Sequence, residues 1–211
     1  MRRHPKRFDL VNRYRNWFRS LSEFTDHGNM TWDDYLDWYD NARDDFNRLA
    51  YDDLDLAFRE TDWCLYRQPF YHRNTRWPHV LDHLDGGWGA LLDYGCGTGE
   101  MLAWLKARKP VWLYDGEDVP SPQQEYAMWR GFHPPKWQHK YDVIVCYETL
   151  EHLNNPVEHV TKMLDYLQSG GVLLWDFIDD HGGANIAPED GRREVLRMLR
   201  GTTGQREVYV R

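Results

Sequence analysis

A short apolar run, Leu91-Leu92-Asp93-Tyr94, ends at Gly95-Cys96-Gly97-Thr98-Gly99, and the helical pattern Met101–Ala107 follows at once. Glycines at a strand end let the backbone turn sharply and let a ligand approach where a Cβ would collide. The free amides of the next helix then face that ligand. A second apolar run, Val111–Tyr114, leads to Asp115, sixteen residues past Gly99, where an acid can accept hydrogen bonds from both hydroxyls of a ribose. Strand, turn, helix, strand and acid in this order restrict the region to an open α/β sheet that binds a nucleotide-like ligand at its carboxyl edge.

The rest of the second half agrees. Val143–Tyr147 and Val172–Phe177 are further apolar runs, and between them Val157, Val160, Met163, Leu164 and Leu167 mark a helix closed by Gly170-Gly171. Short, wholly apolar strands alternating with helices imply a parallel sheet buried on both faces. Arg192–Leu199 reads as one more helix and Glu207–Arg211 as a last strand.

Residues 1–85 have a different period. Phe8, Val11, Tyr14, Trp17, Phe18 and Leu21 recur at helical steps. After His27-Gly28-Asn29, Thr31 and Asp34 form a capping-box pattern. From there Trp32, Tyr35, Leu36, Tyr39, Ala42, Phe46 and Leu49 make an apolar stripe opposite Asp33, Asp34, Asp37, Asp40 and Asp44, the pattern of a helix packed on one face. Residues 53–60 and 78–85 read as short helices, and 63–75 as irregular around Pro69. The expected organisation is a helical cap over 1–85 and a sheet domain over 86–211.

Charge divides the same way. Residues 1–20 carry seven bases against Asp9 (+6), residues 21–62 carry 13 acids against three bases (−10), and the whole chain carries −8. A basic arm before an acidic body can bind nucleic acid, or the two segments can complement each other as packed helices. The 15% aromatic content argues against disorder. No apolar run approaches the ~20 residues that cross a bilayer, so no membrane association is expected. No secretory signal is visible, and Cys64, Cys96 and Cys146 are too scattered for a disulfide framework or a zinc site. A cytoplasmic setting is the expectation.

The spacing also selects the ligand. Dinucleotide sites use G-x-G-x-x-G, whereas this turn reads G-x-G-x-G with Asp93 just before it. An acid there suits a ligand with cationic groups, as in S-adenosylmethionine with its ammonium and sulfonium. At this point the chain resembles the class I S-adenosylmethionine-dependent methyltransferases. LLDYGCGTGEMLAWL is similar to their first motif, VWLYD to their second, and YDVIVCYETLEHLNNPVEHVTKMLDYLQSGGVLLWDFI to their fourth through fifth strands. The branch that includes ubiquinone- and menaquinone-type small-molecule enzymes is the nearest in likeness.

That resemblance implies a Rossmann-like α/β fold and a small-molecule acceptor. Gly95, Gly97 and Gly99 would cradle the methionine part, with Cys96 and Thr98 completing the turn and Asp93 near the ammonium. Asp115 would hold the ribose, and Gly116 or Glu117 would flank the adenine. Cys146, Tyr147 and Glu148 would lie beneath the methionyl chain and sulfonium. Two departures stand out. Only 25 residues separate Asp115 from Tyr141, where the family fits a helix, a third strand and another helix. Pro122–Trp129 makes one helix there and no third strand is identified. The usual C-terminal strand pair is reduced to a single candidate.

Candidate bases for the acceptor are Glu148, Glu151, His152, Asp179, Asp180 and His181, with His152 and His181 singled out. Glu148, Glu151 and His152 would share a face of a helical turn and could there hold Mg²⁺ or Mn²⁺. This stretch looks like that of metal-using O-methyltransferases of ubiquinone pathways and small RNA, but the same letters recur in metal-free relatives, so no metal site is assigned. The rival readings are a metal-assisted RNA 2′-O-methyltransferase using residues 1–20, and a catalytically idle cofactor binder. Tyr66, Tyr71, Arg73 and Trp77 are candidates for a lid over the cofactor. The sequence does not name an oligomeric state.

Overall fold

A computed structural model describes residues 21, 23–24, 31–61, 63, 65, 76–136, 139–178, 187–199 and 208–211. The elements are α1 (Trp32–Ala50), α2 (Leu54–Glu60), α3 (Trp77–Asp82), β1 (Ala90–Tyr94), α4 (Glu100–Lys106), β2 (Leu113–Glu117), α5 (Pro122–Trp129), β3 (Tyr141–Cys146), α6 (Pro156–Tyr166), β4 (Leu167–Trp175), α7 (Glu189–Leu199) and β5 (Val208–Val210). A 3₁₀ turn spans Leu150–His152. The sheet order is β2-β1-β3-β4-β5. The first four strands are parallel, and β5 runs antiparallel to β4.

Both faces of the sheet are buried, as the apolar runs required. Leu91, Val143, Val145 and Leu174 pack against Val80, Leu84, Leu102, Leu105 and Ala127 of the α3, α4 and α5 side. The alternate residues Leu92, Ile144, Cys146, Leu173 and Trp175 pack against Val160, Met163, Val195 and Leu199 of α6 and α7. Each fully buried Leu or Ile contributes about 2 kcal/mol. Val80 and Leu84 share the core of β1 and α4, so α3 is joined to the sheet by packing.

Chain order reverses beside β1, which has β2 on one side and β3 on the other. Such a switch point opens a crevice at the carboxyl ends of the strands. Among the described residues no strand lies beyond β2, in agreement with the short 116–140 segment. Instead the loop after α5 reaches the edge of β2, where the Gly116 N–H donates to the His133 carbonyl at 2.9 Å. At the other edge β5 is the one strand described.

The helix start at Thr31 has both halves of its capping box. Along α1, Tyr35, Ala42 and Phe46 are buried and Leu36, Tyr39 and Leu49 are half-buried, while the five acids opposite are exposed. Tyr35 and Ala42 join Leu21, Leu65 and Tyr126 of α5 in a third cluster, which docks the helical part onto the sheet domain.

Three expectations need correction. The second strand is Leu113–Glu117 rather than Val111–Tyr114. Trp112 folds back through its N–H to Lys109, and its ring lies where a Cβ on Gly89 would sit, at 2.6 Å. Gly170-Gly171 does not close the preceding helix. That helix ends at Tyr166, and the glycines lie inside β4, where the register jumps from Tyr141↔Leu167 to Val143↔Val172. Gly170 takes φ +79° in this irregularity. Finally, Glu148–His152 is not one α-helical turn, because Glu148 at φ +53° stands outside the 3₁₀ turn. The basic arm, most of the 8–21 helix, Tyr66, Tyr71, Arg73, Asp179, Asp180 and His181 lie outside the described residues.

Candidate functional site

The turn after β1 is built by backbone. Gly95, Gly97 and Gly99 take φ +86°, +54° and +73°, values that glycine reaches without the steric cost of a Cβ. The N–H groups of Gly95 and Cys96 donate to the Glu117 carbonyl at 2.7 and 3.1 Å, and Gly99 N–H to the Cys96 carbonyl at 2.9 Å. The Thr98 carbonyl accepts from Arg130 at 2.8 Å, and the Arg130 guanidinium also pairs with Glu100. Phe132 fills the space beside Gly99, where a Cβ would meet its ring at 2.7 Å.

Two carboxylates converge on this turn. Asp93, at the end of β1, is buried. Burial, and secondarily the Asp118 charge, pushes its carboxyl up to about 8. Asp118 lies one residue past β2 and accepts the Gly97 N–H at 2.7 Å. Its position is fixed from behind. Its own N–H donates to Gln124 of α5 at 2.5 Å, and the Val119 N–H donates to its other oxygen at 2.8 Å. Ser121 caps α5 and donates to the Val119 carbonyl at 2.7 Å.

Asp115 is elsewhere. It pairs in register with Leu92, two residues short of the strand end, and accepts the Tyr141 hydroxyl at 2.6 Å. Gly116 is likewise inside the sheet, and a Cβ there would meet Cys96 Sγ at 2.8 Å and Leu102 Cδ1 at 2.9 Å. Its lack of a Cβ allows close packing under the turn. Glu117 touches the turn through its carbonyl, while its side chain pairs with Lys162 at 2.5 Å on the α6 side. There Tyr94 OH and His159 Nδ1 also lie 2.6 Å apart.

The turn after β3 faces the glycine turn. Thr149 Oγ1 donates to the Tyr147 carbonyl at 2.9 Å. A Cβ on Gly95 would fall 2.0 Å from that hydroxyl, so the two turns touch only because Gly95 lacks one. Cys146 is buried within β3 and Tyr147 just beyond it. Burial pushes the Cys96 and Cys146 thiols upward, which leaves both as unreactive packing groups. Asp176, directly after β4, accepts the Glu148 N–H at 2.7 Å and pairs with Arg76.

The helical part reaches the same edge. Gln123 Nε2 of α5 donates to the Phe58 carbonyl of α2 at 3.5 Å, and the Phe58 ring lies 5.5 Å from the His152 ring. Phe46 lies behind, its ring edge-on to Phe58 at 5.1 Å and tilted against Trp63 at 4.4 Å. Helix α2 therefore touches both the α5 side and the post-β3 side of the crevice. Glu151 is fully buried in the 3₁₀ turn. Among the described residues no group of three or more His, Cys, Asp or Glu is gathered to hold a metal ion, and no helix is long and apolar enough to cross a membrane.

Asp118, Thr149 and Asp176 did not emerge from the sequence. The Ser121-Pro122 helix start gave a signal for the first: counting back from it leaves Asp118 beyond the strand end. Asp176 is the first residue after the apolar run Val172–Trp175, which is the same signal at another strand.

These features fit S-adenosylmethionine. The glycine turn lies at the carboxyl end of β1, the acids Asp93 and Asp118 suit a cationic ligand, and the buried Thr98 hydroxyl has no hydrogen-bond partner among the described residues. A family model described as a methyltransferase domain matches residues 58–200. The ubiquinone biosynthesis O-methyltransferase of Shewanella halifaxensis is 25% identical over 160 residues, covering 68% of this chain and 67% of that protein. The enzyme of the same name from Sodalis glossinidius is 29% identical over 152 residues, covering 64% and 61%. Among solved structures, the sugar N-methyltransferase KedS8 from Streptoalloteichus overlays with a TM-score of 0.46 at 23% identity, covering 58% of each chain. The plantazolicin methyltransferase BpumL, in complex with a monoazolic desmethylPZN analog and SAH, overlays with 0.48 at 14% identity, covering 79% and 77%. The chain belongs to the methyltransferase domain family and is an S-adenosylmethionine-dependent methyltransferase.

Proposed function

We propose that the methyl group goes to a hydroxyl of a small acceptor, bound between the post-β3 turn and the aromatic side chains of the helical part. The observation that carries this is the alignment of two thirds of the chain with relatives named for O-methyl transfer in ubiquinone biosynthesis. The aromatic wall of Phe46, Phe58 and Trp63 supports an apolar or aromatic acceptor.

The cofactor supplies a methyl on a sulfonium, which departs as a neutral thioether. The protein then has to align the acceptor and exclude water. In this reading the backbone of the Gly95–Gly99 turn carries the methionine part, and Asp93 faces its ammonium. Tyr147 and Glu148 lie beneath the methionyl chain. Asp118, rather than Asp115, takes the ribose, a role supported by its hydrogen bond to Gly97 and its place at the crevice. His152, half-buried beside Phe58, is the base that receives the hydroxyl proton. Residues 21–65 act as the cap over the acceptor. His181 stays a candidate from the sequence alone.

The test incubates the full chain with S-adenosylmethionine and a panel of phenols, catechols, amines and short RNAs, and reads methylation by mass spectrometry. Methylation of a phenolic hydroxyl is expected, with His152→Gln slowing turnover by about 100-fold. Methylation of RNA that disappears on deleting residues 1–20 would replace this reading with the nucleic-acid one. Cofactor binding with no transfer to any acceptor class would favour an idle binder.

A further inference from the structure

We propose that Asp176 is a positioning residue that holds the methionine-side turn in its working shape and ties it to the entry of α3. This rests on the cofactor reading above. Glu148 is the one non-glycine residue with positive φ among the described residues, a conformation that L side chains avoid. Nothing in its own sequence neighbourhood favours it. The restraint comes from 28 residues away, where Asp176 Oδ1 accepts the Glu148 N–H at 2.7 Å.

The rest of Asp176 is anchored. Its N–H extends the β3–β4 ladder by donating to the Cys146 carbonyl at 3.2 Å. Its Oδ2 pairs with the Arg76 guanidinium, and the carboxylate is only 6% exposed. Arg76 in turn lies over the Tyr147 ring, 5.2 Å from its centroid. Residues 147 and 148 are thus gripped from two directions, by a hydrogen bond to the backbone and by a cation on the neighbouring ring. Arg76 is the residue at which the chain enters α3, so a shift there is transmitted through one carboxylate to the turn that abuts Gly95. No residue between them is needed to carry it.

The test is a calorimetric cycle with S-adenosylhomocysteine, accompanied by thermal melts. Asp176→Ala is expected to weaken binding about tenfold relative to the unsubstituted protein, because the turn is no longer held. In a Glu148→Gly background, where the left-handed turn costs nothing, the same substitution should weaken binding by less than about threefold relative to Glu148→Gly alone. A general loss of packing would not be relieved by that glycine. Asp176→Asn keeps an acceptor for the N–H, and its loss should fall between the two. A loss for Asp176→Ala under about twofold, or one undiminished in the Glu148→Gly background, overturns the proposal. Should Asp176→Ala fail to fold, recovery of a cooperative melt in Glu148→Gly/Asp176→Ala supports it, and failure to recover overturns it. If the unsubstituted protein does not bind the ligand, the cofactor reading itself has failed, a result distinct from either.

Discussion

The turn after β1 and the turn after β3 face each other across the crevice, and both pass through the left-handed region of backbone space. The first does so at Gly95, Gly97 and Gly99, the second at Glu148. In the first the geometry is written locally, since glycine accepts positive φ wherever it stands. In the second it is imposed at a distance, by a carboxylate just past β4. Local encoding makes a turn robust and visible in the sequence. Remote encoding makes it adjustable, because whatever moves Asp176 or Arg76 moves the turn.

The largest effect is expected from Gly95→Ala. The new Cβ would be held at φ +86° and 2.0 Å from Thr149 Oγ1. Left-handed strain and overlap together are expected to cost about 3 kcal/mol of stability and about 100-fold in S-adenosylhomocysteine affinity. Thermal melts and calorimetry read both. Adding Thr149→Gly should restore part of the loss, because the colliding atoms are gone. If it restores nothing, the contact between the turns is not what the glycine serves.

A smaller effect concerns charge beside the first turn. Burial raises the Asp93 carboxyl from 3.8 to about 8, so the folded protein resists its ionisation while the unfolded chain does not. The stability it contributes is complete below about pH 4 and is lost as pH rises toward 8. The ligand-free protein should therefore melt lower at pH 8 than at pH 6, and Asp93→Asn should flatten that slope. Over the same window affinity should rise by about fivefold, because the ionised carboxylate attracts an ammonium and the neutral one does not. Affinity that is flat or falls with pH would detach Asp93 from the cationic end of the ligand.

Much of the sheet was legible because its strands are continuous apolar runs. Alternate residues, such as Val143 and Ile144, serve opposite clusters, so no polar face interrupts the pattern. The Pro122–Trp129 helix is the one the sequence indicated, marked by its cap. The phase of β2 was not legible. Val111 and Trp112 look like strand, yet the Trp112 ring is spent on Gly89 and the ladder begins at Leu113. With the strand read as ending at Tyr114 rather than Glu117, Asp115 takes the place just past its end that Asp118 holds in the structure. The glycines at 170 and 171 misled in the opposite way, since a helix stop and an irregular strand use the same residue. Asp176 and Arg76 were silent, because a grip between residues 100 positions apart in the chain leaves no local pattern.

In the proposed reading, Asp118 just past β2 serves the cofactor and Asp115 within the strand does not. Calorimetric titration of S-adenosylhomocysteine into the unsubstituted chain, Asp118→Asn and Asp115→Asn tests it most directly. Binding by the unsubstituted protein, a loss of at least about tenfold for Asp118→Asn and a change within about twofold for Asp115→Asn are the predicted results. Binding that survives Asp118→Asn but collapses in a folded Asp115→Asn would contradict the account.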